Sequence, residues 1–240
     1  MQGDQHRQHI SGQFNAELDA MKNHLLEMGG LVEQQLTLSM QALLSRDSGK
    51  AEAVIRADRE INAMELRIDE ECSRILARRQ PAASDLRLVL AVAKCTTDLE
   101  RIGDEVTRIA RQATRLSELP ASSRTAAELR SMSRRVALML RDALDSFARL
   151  DVAKAVEVVM IDAAVDSEYD DAVATLTSHM TRDPESIPIV LHEMWALRGL
   201  ERVGDHATNI AEQVVYLVRG ADVRHMAPQE LGEFLEETQE

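Results

Sequence analysis

Aromatic side chains are nearly absent from this 240-residue chain, which holds one Trp, two Tyr and three Phe. A protein that grips single-stranded nucleic acid stacks bases on such rings, and here there are too few of them. Basic charge is also short: 28 Lys and Arg face 41 Asp and Glu, for a formal net charge of −13. That balance excludes nucleic-acid binding by counterion release and favours basic proteins or cations as partners. Cys72 and Cys95 are the two cysteines. They are too few for a disulfide scaffold, and both fall on apolar stripes, where a thiol is ordinary core material without a redox role. No apolar run approaches the length of a membrane span, and the opening MQGDQHRQHISGQ lacks the apolar segment of a signal peptide. A cytoplasmic location is expected.

Proline and glycine are scarce as well, five and ten residues, while 45% of the chain is hydrophobic and 29% charged. Long amphipathic helices fit that composition and strands do not, so the fold class is all-α. Residues 1–13 have no apolar period and are expected to form a solvated tail that includes His6 and His9. From Phe14 to about Arg46, apolar residues recur at Leu18, Met21, Leu25, Met28, Val32, Leu36 and Met40, the spacing of one helix face. Gly29 and Gly30 predict a bend or a close helix contact there. After Asp47, Ser48 and Gly49 a second helix runs to about Arg79, with Val54, Ile61, Met64, Ile68, Cys72 and Ile75 inward, and Pro81 ends it. A third, from about Ser84 to Ser117, turns Val89, Val92, Leu99, Ile102, Val106, Ile109 and Ala113 inward. Ser122 or Ser123 then caps a helix to about Leu150, followed by helices over Asp151 to Thr181 and Asp183 to Arg219, with Gly220 as a stop. The expected architecture is two tandem antiparallel three-helix bundles, over 14–119 and 120–220, with an acidic tail over 221–240.

The two halves repeat each other. LERIGDEVTRIA, from Leu99, returns as LERVGDHATNIA, from Leu200, and the stretch from Asp47 returns from Asp151. Each copy of ERxGD carries two carboxylates one turn apart, Glu100 with Asp104 and Glu201 with Asp205, on one helix face. The preceding helices carry Asp58 with Asn62 and Asp162 with Asp166 at the same spacing. In an antiparallel hairpin, residues equidistant from the turn lie at one height. About Pro81, Asp58 is level with Asp104 and Asn62 with Glu100; about Asp183 and Pro184, Asp162 is level with Asp205 and Asp166 with Glu201. Helical rotation puts these groups on facing flanks, in an outer groove and not in the core. Carboxylates so close need a cation, and oxygen ligands on rigid helices suit Mg²⁺, Ca²⁺, Mn²⁺, iron or zinc. His206 could add a nitrogen ligand in the second half only. Salt bridges to Arg101, Arg108 and Arg202 are the competing use of the same acids. Arg101 and Arg202 point away from the core and are candidates for partner contact.

These residues resemble the PhoU family of phosphate transport accessory proteins. The resemblance covers nearly the whole chain, from HISGQF and LLEMGGLVEQQL through DREINAMELRIDEEC, QPAASDLR and DLERIGDEVTRIA to GLERVGDHATNIAE. It implies two three-helix bundles and a cytoplasmic negative regulator of the phosphate starvation response and of phosphate uptake, without enzymatic activity. The implied partners are the phosphate ABC transporter, the sensor histidine kinase of the phosphate regulon and a second copy of the chain, with membrane association only through partners. The family's paired acidic motifs are described as metal-binding, and they map onto Glu100 with Asp104, Asp162 with Asp166 and Glu201 with Asp205. The fourth element departs from the pattern, since it ends in Asn62. Two other readings are a dimetal carboxylate enzyme of ferritin-like type, which would need a Glu-x-x-His element that is absent here, and a plain helical scaffold without metal.

Overall fold

The computed structural model describes residues 2–120, 126–224, 226, 230 and 231. It contains six long helices: α1 (Gln2–Ser45), α2 (Ser48–Arg79), α3 (Ala83–Ser117), α4 (Ala126–Arg149), α5 (Val152–Arg182) and α6 (Ile187–Arg219). There is no strand among the described residues, and no helix there is long and apolar enough to cross a membrane. The first three helices pack on one another as a bundle and the last three do the same. The apolar stripes face inward as their period requires: Met21, Leu25, Met28, Val32 and Leu36 of α1, Ile61 and Ile68 of α2, and Leu99, Ile102 and Ile109 of α3 are all buried. Cys72 and Cys95 are buried thiols, and burial pushes the Cys72 thiol up to about 12, which keeps it protonated and unreactive.

The turns repeat with the sequence. Asp47 and Asp151 each accept a hydrogen bond from a backbone N–H three residues on, of Lys50 and Lys154, and so cap α2 and α5. The residue before each cap, Arg46 and Leu150, has a left-handed backbone with φ of 54° and 56°. Beyond α5 the chain turns through a short 3-10 segment, Pro184–Ser186, and Pro188 then sits in the first turn of α6, where its missing N–H costs nothing.

The two bundles join along α3 and α6, which run antiparallel: Arg87 reaches the carbonyl of Leu217, Asp98 reaches His206, and Gln112 reaches His192. Gly199 permits this approach, because a Cβ there would lie 2.8 Å from Ile109 Cγ1. α1 and α4 form a second contact between the bundles. At Gly29 a Cβ would stand 2.6 Å from Leu144 Cδ2, so Gly29, and not its neighbour Gly30, marks a close helix crossing.

Two termini differ from expectation. α1 begins at Gln2, so residues 2–13 continue the helix. They contain no proline, and extending an existing helix avoids the cost of nucleation, so no apolar stripe is needed. After Gly220, Val223 and Leu231 are buried, so the chain packs back onto the bundle there and does not leave it at 221. The expected caps Ser122 and Ser123, and most of 225–240, lie outside the described residues.

Candidate metal sites on the outer grooves

Each ERxGD segment is held against the middle helix of its bundle by its glycine. A Cβ on Gly103 would lie 3.1 Å from Ile61 Cδ1 and 3.8 Å from Asp58 Oδ1; one on Gly204 would lie 3.5 Å from Val165 Cγ1 and 3.9 Å from Asp162 Oδ1. The helices therefore touch at the height of the acids.

In the second bundle, Asp166 of α5 and Glu201 and Asp205 of α6 each offer a carboxylate oxygen, and these oxygens lie within 4.8 Å of one another. Asp162 stands one turn along α5. Its carboxyl is pushed up to about 6, first by burial and then by the charges of Asp166 and Asp205. Glu201 and Asp205 are also raised, each by burial first and then by a neighbouring carboxylate. Asp162 Oδ1 and Glu201 Oε2 are buried without a hydrogen-bond partner. Thr208, next to Asp162, offsets a little of the upward shift, but the two groups stop short of hydrogen-bond geometry and the Thr208 hydroxyl is itself unpartnered. Buried, mutually repelling oxygens with free lone pairs are what an oxygen-coordinated cation needs, so the residues fit such an ion.

The first bundle is less prepared. Asn62 donates to Asp58 Oδ2 at 3.4 Å, Thr107 donates to Asp58 Oδ1 at 3.2 Å, and Arg108 stands 3.7 Å from Asp104. Asn62 Oδ1 is buried without a partner. Glu100 is raised by burial and then by Asp104, Glu65 and Asp58. Glu65 is an acid that the motif spacing did not single out: two turns along α2 from Asp58, it brings a carboxylate into the field of Glu100 and Asp104 beside the uncharged Asn62. Its repeat equivalent is Tyr169, which a search for matching acid pairs passes over.

Two other residues sit elsewhere than expected. His206 is buried, and its Nδ1 lies 2.9 Å from Asp98 Oδ1 on α3, so it faces the joint between the bundles and not the carboxylates. The cause is the antiparallel pairing of α3 with α6, which sets position 206 against Asp98 and which within-bundle periodicity does not encode. Arg202 is not a free surface arginine: its Nη1 lies 2.7 Å from Glu105 Oε1, and Glu105 is buried. Arg101 is exposed, as expected.

The PhoU domain profile matches residues 25–113 and 129–214, one match per bundle. The Phosphate-specific transport system accessory protein PhoU homolog of Pseudomonas putida is 56% identical over 218 residues, covering 91% of this chain and 85% of that protein. The chain belongs to the PhoU family. The Escherichia coli PhoU is 44% identical over 95% of this chain and 94% of its own length. The crystal structure of PhoU from Pseudomonas aeruginosa superimposes with a TM-score of 0.85 at 53% identity, covering 87% of this chain and all of that one. That of the phosphate transport system regulatory protein PhoU from Streptococcus pneumoniae gives 0.81 at 32% identity, over 88% and 99%. In PhoU terms, the two profile matches place one ERxGD element and one acid groove in each repeat.

Proposed function

We propose that this chain is a non-enzymatic adaptor that restrains phosphate uptake and the phosphate starvation response, linking the phosphate ABC transporter to the sensor histidine kinase, with cations held in its acid grooves. Its relatives carry the names phosphate-specific transport system accessory protein and phosphate transport system regulatory protein. The observation that carries the metal part is the convergence of Asp166, Glu201 and Asp205 beside the orphaned Asp162 Oδ1, on the flank of a two-helix joint and open to solvent.

A bound cation would supply charge neutralisation and open coordination positions. The chain's own residues do the rest. Asp162 and Asp166 hold the α5 side of the groove and Glu201 and Asp205 the α6 side, so pairing them through positive charge fastens the two helices at one height. Asp58, Glu65, Glu100 and Asp104 do the same across α2 and α3. An all-oxygen donor set favours Mg²⁺, Mn²⁺, Ca²⁺ or iron over zinc, since His206 is turned away. A ferritin-like enzyme is disfavoured because the carboxylates line outer grooves and not the centre of a bundle.

The test is complementation. In a bacterium lacking its own PhoU, a phosphatase reporter of starvation should be repressed in high phosphate by the wild-type chain, and derepressed when Asp162, Asp166, Glu201 and Asp205 are all changed to Ala. A wild-type chain that fails to repress contradicts the regulatory reading. A four-fold variant that represses fully contradicts a regulatory role for the groove.

A further inference from the structure

Two threonines hold the same place in the two repeats, Thr107 shortly after Asp104 and Thr208 shortly after Asp205. Both are buried, at 5% and 8% exposure. A threonine inside a helix ordinarily donates its hydroxyl to the carbonyl one turn back, as Thr96 and Thr114 do in α3. These two do otherwise. Thr107 donates across the helix contact to Asp58 Oδ1 at 3.2 Å. Thr208 faces Asp162, the repeat equivalent of Asp58, without completing a bond, so that Thr208 Oγ1 and Asp162 Oδ1 are both buried and both unpartnered.

The surroundings of the two pairs differ. Val165 stands where the first bundle has Ile61, and the distance from a Cβ built on the motif glycine to that side chain widens from 3.1 Å at Gly103 to 3.5 Å at Gly204. Asn62 donates to Asp58 Oδ2, whereas its equivalent Asp166, once ionised, has no proton to give. Asp58 therefore has a donor on each oxygen, and a cation would have to displace them. A hydroxyl can meet a carboxylate in two ways: it gives the carboxylate its proton, or it turns its lone pairs to a cation that both oxygens share. Thr107 does the first, and Thr208 is placed for the second. Its lack of charge suits the site as well. Asp162, Asp166, Glu201 and Asp205 together already carry more negative charge than a divalent ion offsets, so a further carboxylate would add repulsion while a hydroxyl adds an oxygen ligand alone.

We propose that Thr208 is a neutral ligand of the cation in the α5–α6 groove, its Oγ1 sharing the ion with Asp162 Oδ1 at the buried end of that groove, and that Thr107 withholds Asp58 from a cation in the α2–α3 groove by donating to it. One residue type at one repeat position strengthens the second groove and weakens the first. This assignment rests on the metal reading of the grooves and deepens it.

The test is titration of the metal-free chain with Mn²⁺, the free ion being followed by its electron paramagnetic resonance signal. Each groove is read alone, the second in a chain carrying Glu100→Ala and Asp104→Ala, the first in a chain carrying Glu201→Ala and Asp205→Ala. Thr208→Val should weaken the second groove about tenfold, and Thr208→Ser should keep the parent's affinity. Thr107→Val should leave the first groove as tight as before or tighter, because it frees Asp58 Oδ1. Melting of the metal-free chain separates a lost ligand from a damaged fold. Thr208→Val removes a buried hydroxyl that has no partner, so the melting temperature should not fall; Thr107→Val takes a donor from Asp58 and should lower it. The assignment is overturned if Thr208→Val binds Mn²⁺ as tightly as its parent or more tightly, if Thr208→Ser is as weak as Thr208→Val, if Thr208→Val lowers the metal-free melting temperature along with the affinity, or if Thr107→Val weakens the first groove as Thr208→Val weakens the second. Uptake of Mn²⁺ by the parent with no change in Thr208→Val overturns this assignment alone, whereas a wild-type chain that takes up no Mn²⁺ contradicts the metal reading and the assignment with it.

Discussion

Glycine sits in these helices for opposite reasons at different positions. Gly30 meets nothing within 4 Å of where its Cβ would be, so it confers only backbone freedom in the unfolded chain; Gly199 is pressed against Ile109. Gly30→Ala should therefore stabilise the protein by about 0.5–1 kcal/mol. Gly199→Val should destabilise it by about 1–3 kcal/mol, since Ile109 Cγ1 is not the free end of its side chain. Urea unfolding of both variants checks the pair, and equal effects would contradict the packing described for the α3–α6 joint. The same joint explains why Arg202 and His206 misled a reading by periodicity. Each repeat encodes its own bundle, so Arg101 and Arg202 look equivalent, but Glu105 is close enough to claim Arg202 only once α3 and α6 are antiparallel.

Helix by helix, most of the fold was legible, because each stripe has one clear period and each turn its own chemistry, such as the Asp47 and Asp151 caps. The level pairing of the acids was legible too, being fixed by distance from Pro81 and from the Asp183–Pro184 turn. Glu65 was not, because its repeat partner is Tyr169 and the acid has no twin. The pairing of helices leaves a pH signature. Asp162 is pushed up to about 6 and Glu212 to about 7, both by burial first. Such groups hold a proton more tightly folded than unfolded, so their contribution to stability is complete below about pH 4 and is lost as pH rises through 6 to 7. The metal-free protein should melt at a higher temperature at pH 5 than at pH 8, and Asp162→Asn should reduce the difference. A melting temperature that instead climbs from pH 5 to 8 would show that these carboxyls are not buried as described.

At the scale of the molecule, two homologous bundles lie back to back, with basic residues along their joint and an acid groove on each outer flank. The grooves are unequal: the second has carboxylate oxygens within 4.8 Å and unpartnered buried oxygens, while the first spends Asp58 on Asn62 and Thr107. Metal should accordingly bind first between α5 and α6. The most direct test is metal content by mass spectrometry on protein purified without a metal-affinity tag, before and after incubation with Mg²⁺, Mn²⁺, Ca²⁺ and iron, for the wild-type chain and for the variant with Asp162, Asp166, Glu201 and Asp205 changed to Ala. The account predicts about one tightly held ion or more per wild-type chain, with the tightest ion missing from the variant. A wild-type chain that holds no metal under any of these conditions, or a variant that holds as much, would contradict it.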